Sequence, residues 1–238
     1  MIDNYVVIDL EMTGLNVKTD RILEVGAARV REQKVTETFN VLVNPETSIT
    51  ERVTELTGIS NEMAQDGEKA ESVLPEFFTF LGEDILVGQN IIFDYSFLKQ
   101  WAVNHNISFE KKAVDTLKLA RKFLPEGQKK DLQSLCEFFE VERVNGHRAL
   151  EDVMETQIIF EILKKRYGKD DPKAFEPVQL NYKVKKQTPA TARQISYLEQ
   201  FAKYHGIDMP QISAGFTRSE ASRLTDHLIE KYGKMKKE

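Results

Sequence analysis

An apolar run that ends in acids is where chemistry first becomes visible in this chain. Residues 5–14, Tyr-Val-Val-Ile-Asp-Leu-Glu-Met-Thr-Gly, begin as a buried strand should and finish in two carboxylates and a glycine. In extended backbone successive side chains point to opposite faces, so Asp9 and Glu11 share one face while Val6, Ile8 and Leu10 take the other. Two like charges brought together raise each other's cost of ionisation, and a shared proton or a bound cation relieves it. Acids also end strands as ordinary solvated termini, so ligands arriving from elsewhere decide between the two readings.

Two further positions supply such groups. Asp94 falls in the first turn of an aromatic-rich helix expected over 91–104, where Phe93, Phe97, Leu98 and Trp101 form a wide apolar surface. A carboxylate there is favoured by the helix dipole, and the place just beyond a strand's C-terminal edge is also where α/β proteins build their sites. His147 stands in the loop before a helix expected over 149–167, and Asp152 lies near that helix's start. Five residues apart, they do not share a helical face, but a loop histidine and a second-turn aspartate reach one cleft. Asp9, Glu11, Asp94, Asp152 and His147 together are four carboxylates and an imidazole, the inventory of a two-metal site.

The elements that must position these groups follow from periodicity. Strands are expected over 21–31 and 36–43 after the first, which makes an antiparallel meander. A short helix over 50–56 ends at Gly58, a helix covers 72–81, and a short buried strand over 84–87 leads through Gly88-Gln89-Asn90 into the Asp94 helix. Further helices are expected over 114–123 and 132–139. The fold class is α/β, a mixed sheet flanked by helices.

The spaced strings also match a known family. Asp-x-Glu-x-Thr-Gly at 9–14, Val-Gly-x-Asn-x-x-Phe-Asp at 87–94 and His-Arg-Ala-Leu-x-Asp at 147–152 occur in order, with Leu-Thr-Gly-Ile at 56–59 and Asp-Thr-Leu at 115–117. In these the chain resembles the DEDDh, or DnaQ-like, 3′-to-5′ exonucleases, a group that includes the epsilon subunit of bacterial DNA polymerase III and the exonuclease domain of PolC-type polymerases. The resemblance runs from about Tyr5 to Tyr167 and implies a ribonuclease-H-like fold. It implies that Asp9, Glu11, Asp94 and Asp152 hold two Mg²⁺ or Mn²⁺ ions and that His147 activates the attacking water. Met12, Thr13, Asn90 and Phe93 are implied at the substrate, with Thr13 against the terminal nucleotide and Asn90 shaping the turn that presents Asp94. The implied reaction is removal of nucleoside 5′-monophosphates from DNA 3′ ends, single strands first, in proofreading or repair, with a DNA polymerase subunit as a candidate partner. Two alternatives remain open at this point: the same chemistry on RNA or short oligonucleotides, and a non-catalytic, polymerase-associated subunit that binds nucleic acid. Met12 departs from the threonine common in the family and Gln89 from the histidine, and neither removes a metal ligand. Asp115 reads as a helix cap outside the site.

Composition agrees with these expectations. At 238 residues, with 41% apolar and 30% charged residues, the chain suits a soluble protein with one well-buried domain and a small second one. No apolar run approaches the ~18 to 20 residues that span a bilayer, and no basic start precedes an apolar core, so no membrane partner and a cytoplasmic place are expected. Cys136, the one cysteine, reads as a small buried residue. Residues 1–170 hold 21 Lys and Arg against 30 Asp and Glu, whereas residues 171–238 hold 12 against 8. An acidic body with a basic tail suits a metal-using enzyme that handles an anionic polymer. The expected organisation is a catalytic domain over 1–170, a basic linker over 171–187 interrupted by Pro172 and Pro177, and a small helical hairpin module over 188–233. Thr191 and Thr217 each open an amphipathic helix through a capping box with Gln194 and Glu220.

Overall fold

A computed structural model of the chain describes residues 2–143, 148–209, 212 and 216–235. In chain order its main elements are β1 (Tyr5–Met12), β2 (Ile22–Arg31), β3 (Lys34–Asn44), α1 (Glu51–Thr57), α2 (Asn61–Asp66), β4 (Glu68–Lys69), α3 (Ala70–Leu81), β5 (Leu86–Gly88), α4 (Ile92–Asn104), β6 (Lys112–Asp115), α5 (Thr116–Phe123), α6 (Leu132–Phe139), α7 (Ala149–Tyr167), β7 (Val178–Gln179), α8 (Ala192–His205) and α9 (Arg218–Tyr232). The strands form one mixed sheet in the order β4-β3-β2-β1-β5-β6-β7, so the acid-bearing strand lies at its centre. β1 pairs antiparallel with β2 and parallel with β5.

A central strand with a Val-Val-Ile run buries both faces. Val6, Ile8 and Leu10 pack with α3 and α4, including Leu74, Phe77, Tyr95 and Leu98. Tyr5 and Val7 pack on the opposite face with residues of α5, α6 and α7, among them Leu119, Leu135, Cys136 and Phe160. The alternation expected of β1 is therefore realised, and Asp9 and Glu11 extend the row that faces α7. Helix caps follow their chemistry: Thr50, Ser60, Asp115 and Asp131 each accept a backbone N–H in the first turn that follows. Gly58 ends α1 at φ 68°.

The structure departs from the sequence reading at the far edge. Residues 112–115 are strand, not the start of a helix, because Ala113 and Val114 pair with Leu86 and Val87 of β5 and are buried. Four residues are too few to show a strand period beside a helix of strong amphipathicity. The segment 171–187, expected as a linker, is partly built into the sheet. Phe175 lies in a 3-10 turn over Pro172–Phe175, is buried, and stacks near Phe123 at 5.8 Å between centroids. Val178 and Gln179 then pair with β6, and Leu180 is buried. Beyond it, α8 and α9 form a small core of their own through Leu198, Phe201, Ala221 and Leu228. Both capping boxes are present. Tyr232, near the end of α9, is 39% exposed.

Two outcomes follow for stability. Phe175→Ala should cost about 3–5 kcal/mol by urea unfolding, the usual loss for a buried phenylalanine. A chain truncated after Tyr167 should aggregate or unfold, whereas one truncated after Asn181 should keep its sheet. A stable, monomeric 1–167 fragment would contradict the placement of residues 172–180 in the core.

Candidate active site

The site forms where β1 outruns its neighbour. β5 pairs with β1 only through Val6 and Val7, and its chain turns away after Gly88, with Asn90 at φ 58° in the left-handed region that asparagine tolerates. The backbone N–H of Asn90 donates to Asp115, whose carboxylate also caps α5. This turn starts α4 so that Asp94 reaches back to the strand end. The Leu10 N–H, left without a strand partner on that side, donates to Asp94 Oδ1 at 3.0 Å. One hydrogen bond thus joins the first and second sequence motifs.

The third motif arrives over β2. Asp9 pairs with Gly26 and Glu11 with Glu24 in the β1–β2 register, and a bulge follows between Glu11 and Met12. A Cβ on Gly26 would lie 2.5 Å from the Ala149 backbone, so only glycine lets the start of α7 cross the strand here. Glu24, fully buried, receives the Arg148 guanidinium at 3.1 and 2.7 Å and the Ala149 N–H at 3.0 Å. That clamp sets the first residue of α7, and Asp152 then faces β1 from the helix's first turn. Carboxylate oxygens of Asp9, Glu11 and Asp152 lie within 4.8 Å of one another.

Such crowding has an electrostatic cost. Burial, followed by the neighbouring charges of Asp94, Glu11 and Asp152, holds the Asp9 carboxyl well above the usual carboxylate range. Glu11 is pushed up to about 8 by burial first and then by Asp152 and Glu24. Asp94 is raised to about 7 by burial, against the lowering effect of backbone N–H donors that include Leu10. Arg143 offsets part of the charge, reaching Asp152 at 2.9 Å and Glu155 at 3.1 Å. Clustered carboxylate oxygens are hard donors that fit Mg²⁺ or Mn²⁺, and a cation placed among them favours the ionised forms that burial and repulsion disfavour.

The remaining expected residues fall around this cluster. Met12 and Phe93 are half-buried at the edge of the apolar layer under α4, and Phe93 meets Phe97 edge-on at 5.4 Å. Thr13 closes the β1–β2 loop, its hydroxyl accepting from the Arg21 N–H at 2.9 Å. Gln89, the second departure from the family pattern, has both polar ends engaged: its amide donates to the Lys130 carbonyl and its oxygen accepts from Thr116. His147 lies outside the described residues. Sequence reasoning passed over Glu24, Gly26, Arg143 and Arg148. Glu24 carried a visible signal, since a lone acid inside Ile-Leu-Glu-Val-Gly is out of place in a buried strand.

The RNase T exonuclease model matches residues 6–160. The chain belongs to the exonuclease family. It is 40% identical over 157 residues to the DNA polymerase III subunit epsilon of Aquifex aeolicus, covering 66% of this chain and 78% of that one. It is 40% identical over 156 residues to the PolC-type DNA polymerase III of Caldanaerobacter subterraneus, of which it spans 11%. Among solved structures, exonuclease X in complex with 5′ overhanging duplex DNA shares the fold at TM-score 0.57 and 24% identity, over 69% of this chain and 93% of that one. An E. coli exonuclease I–ssDNA complex does so at TM-score 0.63 and 18% identity, over 73% of this chain and 42% of that one. The fold is thus the ribonuclease-H-like one of these exonucleases, and the matched segment contains all three acid-bearing motifs. Among the described residues, no helix is long and apolar enough to cross a membrane.

The raised carboxyl pKa values predict how the metal-free protein responds to pH. A group whose folded pKa exceeds its unfolded value binds a proton in the folded state that the unfolded state has released, so stability falls as pH rises between the two values. For Glu11 that window runs from its ordinary range near 4.5 to about 8. In EDTA the melting temperature should therefore drop across this window, more in the wild type than in Glu11→Gln, and Mg²⁺ should restore most at the alkaline end. Equal pH slopes for the two proteins would contradict the clustering.

Proposed function

We propose that this member of the exonuclease family is a metal-dependent 3′-to-5′ exonuclease that removes nucleoside 5′-monophosphates from DNA. The observation that supports it most is the convergence of Asp9, Glu11 and Asp152, with Asp94 fixed on the Leu10 N–H. The relatives that align over the same residues are DNA polymerase III proteins, which favours DNA over RNA and a role in proofreading or repair.

Asp9, Glu11, Asp94 and Asp152 would hold two Mg²⁺ or Mn²⁺ ions. When bound, such a pair stabilises charge on the entering and leaving oxygens of a phosphodiester. The protein's own contribution is placement. Leu10 fixes Asp94, and Glu24 fixes the start of α7 and hence Asp152. Met12 and Phe93 offer an apolar edge to the terminal nucleotide, Thr13 lies in the loop beside it, and Asn90 shapes the turn into α4. His147, two residues before the clamped Ala149, accepts the proton of the attacking water. An imidazole titrates near neutrality, so it is free to take that proton. The P–O bond to the strand's penultimate sugar breaks, leaving a new 3′-hydroxyl.

Asp9→Ala or Asp152→Ala should nearly abolish Mg²⁺-dependent release of monophosphates from end-labelled single-stranded DNA. Parallel assays on duplex DNA and RNA test the choice of polymer. His147→Ala should keep cation binding while lowering turnover by about 10²- to 10⁴-fold, the range for a positioned base. That defect should shrink as pH rises and hydroxide replaces the base. Full activity in Asp9→Ala would overturn the metal assignment, and weak cation binding by His147→Ala would make the histidine a ligand.

A further inference from the structure

The module of α8 and α9 is tied to the loop that follows the acid-bearing strand. Thr13 and Arg21 close this loop on each other, and the Arg21 guanidinium pairs at 2.5 Å with Glu220 in the first turn of α9. Glu220 is also held by the Thr217 capping box. Gln187 adds a hydrogen bond to the Lys18 carbonyl at 2.9 Å, and its N–H donates to Asn104 at 2.9 Å. These contacts dock the starts of α8 and α9 on the loop that follows β1 and on the C-terminal end of α4.

The two helix starts also adjoin each other. Pro189 bridges Thr217, and the Gln194 amide donates to the Arg218 carbonyl at 3.0 Å and to Ser222 at 3.3 Å. Arg193, Arg218 and Arg223 therefore gather at this one end, all exposed. Among the described residues, none of the three forms an ion pair, nor do Lys18 and Lys185 nearby. On the body, Arg29, Arg31, Lys99, Arg143, Arg148 and Lys164 are each engaged by a carboxylate, whereas others, Arg52 and Arg121 among them, form no ion pair among the described residues. Arg193 and Arg218 moreover occupy first turns, where the helix dipole disfavours a cation. Three exposed arginines at one end of the module, two of them in first turns, offer guanidinium groups to an anion laid across it.

We propose that this end of the module is a contact surface for the phosphate backbone of the substrate strand, upstream of the nucleotide being removed. The proposal rests on the exonuclease reading and adds where a longer strand is held. A body with 30 acids against 21 bases repels a polyanion, and the module supplies exposed cations that attract one. Arginine suits the task because its fork donates to phosphate oxygens.

The test uses the full chain and fluorescein-labelled dT20, with binding read by anisotropy in EDTA so that no cleavage intervenes. R193Q/R218Q/R223Q should bind dT20 roughly tenfold more weakly at low salt. Its plot of log K against log salt should flatten by about 2, since each single-strand phosphate contact contributes about 0.7. R193K/R218K/R223K should recover most of the binding, and melting temperatures matching the wild type show that the module still folds. In Mg²⁺ the KM penalty should grow from dinucleotide to 20-mer. Unchanged affinity and salt slope in the glutamine variant overturn the proposal and leave the surface to a protein partner, even if exonuclease activity is intact. Arginine-dependent binding by a protein that cleaves nothing would instead sustain the surface and sink the exonuclease reading.

Discussion

Repulsion among partly buried carboxylates at the end of β1 is the constraint on which the site depends. Asp9, Glu11 and Asp152 have oxygens within 4.8 Å, and nothing in an apolar sheet favours such an arrangement for its own sake. The chain pays for it with fixed donors around the cluster. Leu10 donates its N–H to Asp94, Arg143 reaches Asp152, and Arg148 neutralises the nearby Glu24. What these donors leave uncompensated is negative charge open to divalent cations, which is the chemical character of the site.

Precision comes from the backbone more than from the acids themselves. β1 runs past β5, so a strand N–H is free for Asp94, and Gly26 lets α7 cross β2 closely enough for Asp152 to meet β1. Asn90 turns the chain between β5 and α4 at φ 58°. Each device serves one of the acids, and the Leu10 N–H is available because β1 and β5 end at different lengths. A sheet of equal strands would satisfy its own N–H groups and leave Asp94 without an anchor.

Much of this was legible in the sequence. The alternation of Val6, Ile8 and Leu10 against Asp9 and Glu11 gave the two faces of β1, and apolar spacing gave α6 and α7 at their observed bounds. β6 was not legible, because four residues running straight into an amphipathic helix carry no period of their own. The burial of Phe175 and the pairing of Val178 were hidden by the prolines and lysines around them, since tertiary contacts and not local pattern order that segment. The clamp of Glu24 on Arg148 links residues 124 apart, a contact no local reading supplies, although the acid inside an apolar strand pointed to a partner.

The central claim is that the carboxylate cluster is a site for two divalent cations. The most direct measurement is a Mn²⁺ titration of the full chain, followed by electron paramagnetic resonance of the free ion, with a nucleoside 5′-monophosphate present. Two bound Mn²⁺ per chain in the wild type, and a loss of one or both in Asp9→Asn, are the predicted result. No saturable Mn²⁺ binding by the wild type, or unchanged stoichiometry in Asp9→Asn, would contradict it.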